Sequence, residues 1–149
     1  MSNEKLAYDF YLSGGMRGYP ELNYYTFNAI AIKLRKMGYT VFNPAEYDGN
    51  NTFAACMIRD LHAIIHECNG ILLIPGWEES LGANAEAFVA FVCNKTTMMI
   101  EKLFVHGCEA DFEIVPIDLT DYRLPYIKDG GHKFDPHKCD LHEFGSFEQ

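Results

Sequence analysis

Short, wholly apolar segments alternate with segments of helical period along this chain, which predicts an α/β fold with a parallel sheet covered by helices on both faces. Three observations carry that reading. Gly70 to Ile74 offers no polar side chain, as a strand buried on both faces requires. Ala54, Met57, Ile58, Leu61, Ile64, Ile65 and Cys68 recur at close to the 3.6-residue helical period. Gly38 and Asn43-Pro44 then punctuate the chain between such segments, where glycine ends helices and proline halts strands.

Tyr8 to Ser13 reads as the first strand, running into the turn Gly14-Gly15-Met16-Arg17-Gly18. A helix from about Glu21 to Met37 follows, marked by Phe27, Ile30, Ala31 and Leu34. Tyr39 to Phe42 is a short second strand, and Ala45 to Thr52 is a polar loop. The second helix runs from about Phe53 to Glu67, and Gly70 to Ile74 is the third strand. Leu81 to Cys93 is the third helix, Thr96 to Ile100 the fourth strand and Phe112 to Ile117 the fifth. The sum is a three-layer, flavodoxin-like (Rossmann-like) fold with a five-stranded parallel sheet, occupying residues 1–120 as one domain. Residues 121–149, rich in Gly, His, Asp and Lys, have no helical or strand period and read as an irregular tail or docking arm.

Composition narrows the partners. With 149 residues, 48% of them hydrophobic, the chain can bury a core of its own. A formal charge of −9 argues against a nucleic-acid polymer, whose binding needs a basic face to displace counterions. A small phosphorylated ligand, needing one arginine and a helix start, stays compatible. The five cysteines form no C-x-x-C pair and the N-terminus lacks the apolar run of a signal peptide, so the expected setting is a reduced cytoplasm. No apolar run reaches the roughly 20 residues of a membrane span, and no membrane partner is expected.

Within the third helix, Glu86 is the single charge among Ala, Phe and Val from Glu86 to Val92. An unpaired buried carboxylate costs several kcal/mol or takes up a proton, so Glu86 needs either a partner, such as Lys95 or an arginine, or a task. Ser80 and Gly82 lie where a strand gives way to this helix, and free N–H groups at a helix start favour an anion. Ser80 is equally suited to be an ordinary N-cap. In a doubly wound sheet the loops after strands one and three converge at one crevice beyond the carboxyl ends of the strands. Those loops carry Arg17 and Ser80.

Asp60 falls beside the apolar stripe of the second helix, about 100° from its centre, where it either reaches over the sheet or stays a solvated flank residue. Tyr11 would by default be core packing, and Arg17 alone a surface arginine. Trp77, in Pro75-Gly76-Trp77, is placed either to stack on a base or to plug the end of the core. His132, His137, Cys139 and His142 have spacings a zinc ion could use but match no strong zinc pattern, and no metal is expected. G-x-S-x-G, P-loop and G-x-G-x-x-G motifs are all absent, so no nucleotide cofactor is expected and the chemistry rests on carboxylates.

Taken together, Tyr11-Leu12-Ser13-Gly14-Gly15-Met16-Arg17-Gly18, Asp60-Leu61, and Ser80-Leu81-Gly82 followed by Glu86 resemble the nucleoside 2-deoxyribosyltransferase superfamily over roughly residues 8 to 100. The likeness is greatest to its small phage and bacterial transferase-like domains and to the 2'-deoxynucleoside 5'-monophosphate N-glycosidases. It implies that Glu86 is a nucleophile attacking C1' of a deoxyribose, that Tyr11 orients and activates it, and that Asp60 contacts the base or assists its protonation. It further implies a small-molecule nucleotide substrate bound by Gly14, Arg17, Ser80 and Gly82, with Asn43 and Trp77 near the base. A homodimer or higher homo-oligomer is implied too. Transferases that take unphosphorylated nucleosides carry a carboxylate six residues before the nucleophile; Ser80 stands there, as in the monophosphate glycosidases, which favours a 5'-monophosphate. Where the family commonly has Leu-Gly after the nucleophile, this chain has Ala87-Phe88. The competing expectations are a deoxyribosyltransferase exchanging bases, a nucleotide-binding protein without turnover, and an interaction module working through the tail.

Overall fold

Two layers of helix enclose a five-stranded sheet in the computed structural model, which describes residues 5–47 and 52–120. The expectations for the histidine-rich segment and for the whole of residues 121–149 lie outside the described residues. The strands are β1 (Tyr8–Ser13), β2 (Val41–Phe42), β3 (Cys68–Leu73), β4 (Thr96–His106) and β5 (Glu109–Pro116). The helices are α1 (Tyr24–Lys36), α2 (Phe53–His66) and α3 (Leu81–Val92). Sheet order is β2-β1-β3-β4-β5, with the first four strands parallel.

Period-two alternation along the central strands assigns each helix its face. Phe10 and Leu12 of β1 join Leu72, Ile74 and Ile100 against Phe27, Ile30, Ala31 and Leu34 of α1. Tyr11, Ile71 and Leu73 point the other way, against Ala63 and Ile64 of α2 and Ala83, Ala87 and Ala90 of α3. The α3 face is built of alanines, so that helix can lie close over β1 and β3. Close approach is what lets a side chain on α3 reach the strand.

Three expectations need correction. The fifth strand is antiparallel to β4, so the sheet is mostly rather than wholly parallel. Only Gly107 and Cys108 separate β4 from β5, with Gly107 at φ 62°, and a parallel pairing needs a crossover of about a dozen residues. The fourth strand runs on to His106 instead of stopping at Ile100, past an irregularity between Glu101 and Phe104 where Lys102 takes φ 53°. The first helix starts at Tyr24, not near Glu21, because Glu21, Leu22 and Asn23 all have left-handed φ of 50–62° and cannot belong to a right-handed helix. Asn23 instead donates from Nδ2 to the carbonyl of Gly15 at 2.9 Å, tying this turn to the loop after β1.

Sequence order reverses across the sheet between β1 and β3, and the loops that follow these strands flank a cleft at their carboxyl ends. None of the helices is long and apolar enough to cross a membrane, among the described residues. Gly70 tests the tightness of the sheet, because a Cβ there would sit 2.8 Å from the backbone carbonyl oxygen of Thr96. Gly70→Ala is expected to lower unfolding stability by about 1–3 kcal/mol in a denaturant titration, through displacement of β4 from β3; unchanged stability would show that the strands separate freely at this point.

Candidate functional site

A cavity of about 560 Å³ opens at the carboxyl ends of β1 and β3, within the roughly 300–1,000 Å³ of small-molecule sites. Glu86 of α3 lines it and is 6% exposed. Its two oxygens are held by hydroxyls from a single strand: Tyr11 Oη donates to Oε2 at 2.8 Å and Ser13 Oγ to Oε1 at 2.7 Å. The two donors are two residues apart on β1 and so share a face. Glu86 is therefore paired with hydroxyls, not with Lys95.

Asp60 enters the same cavity from α2 and is also 6% exposed. The solvated-flank reading of Asp60 is thus overturned: α2 packs on α3 and carries the carboxyl into their shared interior. Arg59 Nε donates to Asp60 Oδ1 at 2.8 Å, and its Nη2 lies 2.7 Å from the same oxygen.

Electrostatics sets the two carboxyls apart from ordinary surface acids. Burial, reinforced by the charge of Asp60, pushes Glu86 up to about 8, against the pull of the Ser13 and Tyr11 hydrogen bonds. Burial also raises Asp60, and the Arg59 contacts oppose that rise. Tyr11 is held well above its ordinary value, first by burial and then by Glu86, so it serves as a hydroxyl donor and not as a phenolate. The value of about 8 favours the acid form of Glu86 at neutral pH, with the charge of Asp60 contributing to it.

The anion-binding candidates line the same cavity. Ser80 is the N-cap of α3, its Oγ accepting from the Ala83 N–H at 3.2 Å, and it lines the cavity together with Gly82 at the start of the helix. Arg17 lines the same cavity, its guanidinium 4.9 Å from the Phe53 ring centre. Gly14 lines it as well, and a Cβ at Gly14 would fall 2.9 Å from Cβ of Ile74, so the loop passes as close as only glycine permits. Glu79, beside Ser80 in sequence, adds a carboxylate to the lining.

Of the residues singled out in the sequence, Glu86, Tyr11, Asp60, Gly14, Arg17, Ser80 and Gly82 thus meet at one cavity. Asn43 and Trp77 do not line it. Asn43 is buried at the turn after β2, its side chain bonded to Asn28 and to the Ala45 N–H. Trp77 is 1% exposed and packs with the core between the sheet and α3, which is the plug reading of that residue.

Two site residues escaped the sequence reading. Ser13 could have been found, since it shares the strand face of Tyr11. Arg59 could not, because adjacent residues on a helix do not face each other. Tyr47, on the loop from Asn43 to Phe53 that the resemblance sets near the base, lines the cavity beneath Arg59. No group of three His, Cys, Asp or Glu side chains is placed to hold a metal, among the described residues.

The chain belongs to a family described as a domain of unknown function, DUF4406, which matches residues 8–99 and so contains Tyr11, Asp60 and Glu86. No curated protein and no solved structure matches it significantly.

The burial of Glu86 makes stability depend on pH with a fixed sign. Below the ordinary glutamate value both folded and unfolded chains keep the proton, and the carboxyl costs nothing. Between that value and about 8 the unfolded chain ionises first, so stability falls as pH rises, and above 8 the full cost applies. Glu86→Gln removes this dependence. Denaturant titrations at pH 5 and pH 9 are expected to show the variant gaining on the wild type by a few kcal/mol, as an order of magnitude; equal gains at both pH values would contradict the buried-carboxyl account.

Proposed function

We propose that this DUF4406 protein cleaves, or transfers, the N-glycosidic bond of a 2'-deoxynucleoside 5'-monophosphate, with Glu86 as nucleophile. One observation carries the proposal: a buried glutamate, held by two hydroxyls, meets a second buried carboxyl across a small-molecule cavity. The resemblance of residues 8 to 100 to the nucleoside 2-deoxyribosyltransferase superfamily supports it, with Glu86, Tyr11 and Asp60 at the matching positions.

In this mechanism a Glu86 oxygen forms a bond to C1' as the bond from C1' to the base nitrogen breaks through an oxocarbenium-like state. The electron pair of the broken bond stays with the base, which takes a proton from Asp60 in its acid form. The glycosyl ester on Glu86 is then released by water, giving hydrolysis, or by a second base, giving transfer. Arg17 and the N–H groups at the start of α3 supply a phosphate site, and the Ser80 hydroxyl leaves room for charge where a carboxylate would repel it. Exposed Ile58, Leu81 and Val92 on α2 and α3 are apolar surface that a second copy of the chain would cover, in line with a homo-oligomer.

Glu79 favours a second reading. A carboxylate at the cavity wall beside Ser80 suits a free 5'-hydroxyl, which would make the substrate an unphosphorylated nucleoside exchanging its base.

Chromatography of the free base released from each common deoxynucleoside 5'-monophosphate and its parent nucleoside separates these readings. Release from monophosphates is expected, falling on the order of 10³-fold or more in Glu86→Gln; release from nucleosides alone would overturn the phosphate assignment, and release undiminished by Glu86→Gln would overturn the nucleophile. Ser80→Asp is expected to raise KM for a monophosphate about tenfold or more and to spare the parent nucleoside, since only the phosphate meets the new charge.

A further inference from the structure

The contact between Arg59 and Asp60 is unusual for neighbours on a helix. Consecutive side chains diverge by about 100°, so the arginine must curl back across the helix surface to reach Asp60. A long side chain gives up rotamer freedom to do so, and a single contact to a carboxylate seldom compensates for that loss. A second contact supplies the difference here. The Arg59 guanidinium lies over the Tyr47 ring, 4.9 Å from its centre.

Tyr47 is fixed in turn. It stacks on Phe42 at 4.8 Å with planes 12° apart, and Phe42 stacks on Tyr11 at 5.5 Å and 21°. Tyr11 is the donor to Glu86. A continuous run of contacts therefore leads from Asp60 through Arg59, Tyr47, Phe42 and Tyr11 to Glu86. Both contacts from Arg59 fall on Asp60 Oδ1, and Arg59 and Tyr47 both line the cavity.

We propose that Arg59 is a positioning residue that sets which of the two carboxyls is protonated: clasped between Tyr47 and Asp60, its guanidinium keeps Asp60 ionised and leaves the proton on Glu86. In the resting site Glu86 is then a neutral acid and not yet a nucleophile. Withdrawal of the guanidinium from Asp60, for example toward an anionic or acceptor group of a bound substrate, moves the proton from Glu86 to Asp60. That single transfer creates the carboxylate that attacks and the acid that protonates the leaving base. The step is balanced, since one proton changes carboxyls and nothing is oxidised or reduced.

The groups that face this pair are few. Asp60 meets Arg59 from its own helix and Tyr11 from β1, and Glu86 meets Tyr11, Asp60 and Arg59. Arg17, Glu79 and Cys56 also line the cavity, Cys56 one turn before Asp60 on α2. The consequence for catalysis rests on the glycosidic reading above, but the placement of the proton does not.

Carbon-13 NMR titration of the ligand-free full-length chain, with labelled Asp and Glu side-chain carboxyls assigned through Asp60→Asn and Glu86→Gln, tests the proposal without any need for activity. Arg59→Met, which keeps the length and removes the charge, is expected to move the Asp60 midpoint up and the Glu86 midpoint down, each by about one pH unit or more. Tyr47→Leu, which removes the ring beneath the Arg59 guanidinium, is expected to shift both midpoints in the same directions by less, with Tyr47→Phe restoring them. The second pair of variants carries the test if Arg59→Met does not fold. A Glu86 midpoint unmoved in Arg59→Met, or in Tyr47→Leu where only that variant folds, would overturn the proposal. Shifted midpoints in a protein that releases no base from any nucleotide would uphold the proton assignment and sink the glycosidic function instead.

Discussion

The pair of hydrogen bonds from Tyr11 and Ser13 to Glu86 is the interaction on which the rest of the structure depends. A carboxyl removed from water is costly unless its oxygens are satisfied, and both donors come from one face of β1. That requirement reaches outward into the fold. The helix carrying Glu86 must lie close over the sheet, which Ala83, Ala87 and Ala90 allow and larger side chains would prevent. Tyr11 must stay upright in the core, which its stacking on Phe42 secures. The loop into α3 must hold its course, and Asn84 fixes it by donating from Nδ2 to the carbonyls of Trp77, Glu78 and Ser80. Stability is given up at one buried acid, and the surrounding packing keeps that acid in a single position.

The sequence made legible what depends on local period and on topology. The buried third strand and the stripe of α2 are local patterns, and they reappear in the structure with ends shifted by a residue or two. Convergence of Arg17 and Ser80 was legible too, because strand order alone brings the loops after β1 and β3 together. Glu86 stood out as the lone charge on an apolar helix. What stayed hidden depends on tertiary choices with no local period. The direction of β5 follows from a two-residue turn at Gly107 and from an extension of β4 whose side chains are mostly exposed. The start of α1 follows from three left-handed residues that carry no glycine. Asp60 sits at the flank of its helical stripe, and its burial depends on how α2 leans on α3. Trp77 and Asn43 follow strand ends, where a ligand contact and a core plug look alike in sequence.

Charge is distributed in keeping with the site's needs. The chain as a whole is acidic, yet Arg17 and Arg59 both line the cavity, each lying over an aromatic ring. Rings that hold the guanidiniums limit their freedom before a ligand arrives, which reduces the ordering cost of binding. The two arginines sit in different settings: Arg17 lies over Phe53, and Arg59 is locked onto Asp60. Under the proposed function the first meets an anion, while the second holds a carboxyl.

The central claim is that Glu86 bonds covalently to the sugar. Rapid acid quench of the protein with a deoxynucleoside 5'-monophosphate, followed by mass spectrometry of its peptides, tests that claim most directly. The account predicts a deoxyribose-phosphate adduct on the peptide containing Glu86, absent from Glu86→Gln. Turnover with that peptide unmodified at every quench time, or an adduct on another residue, would contradict it.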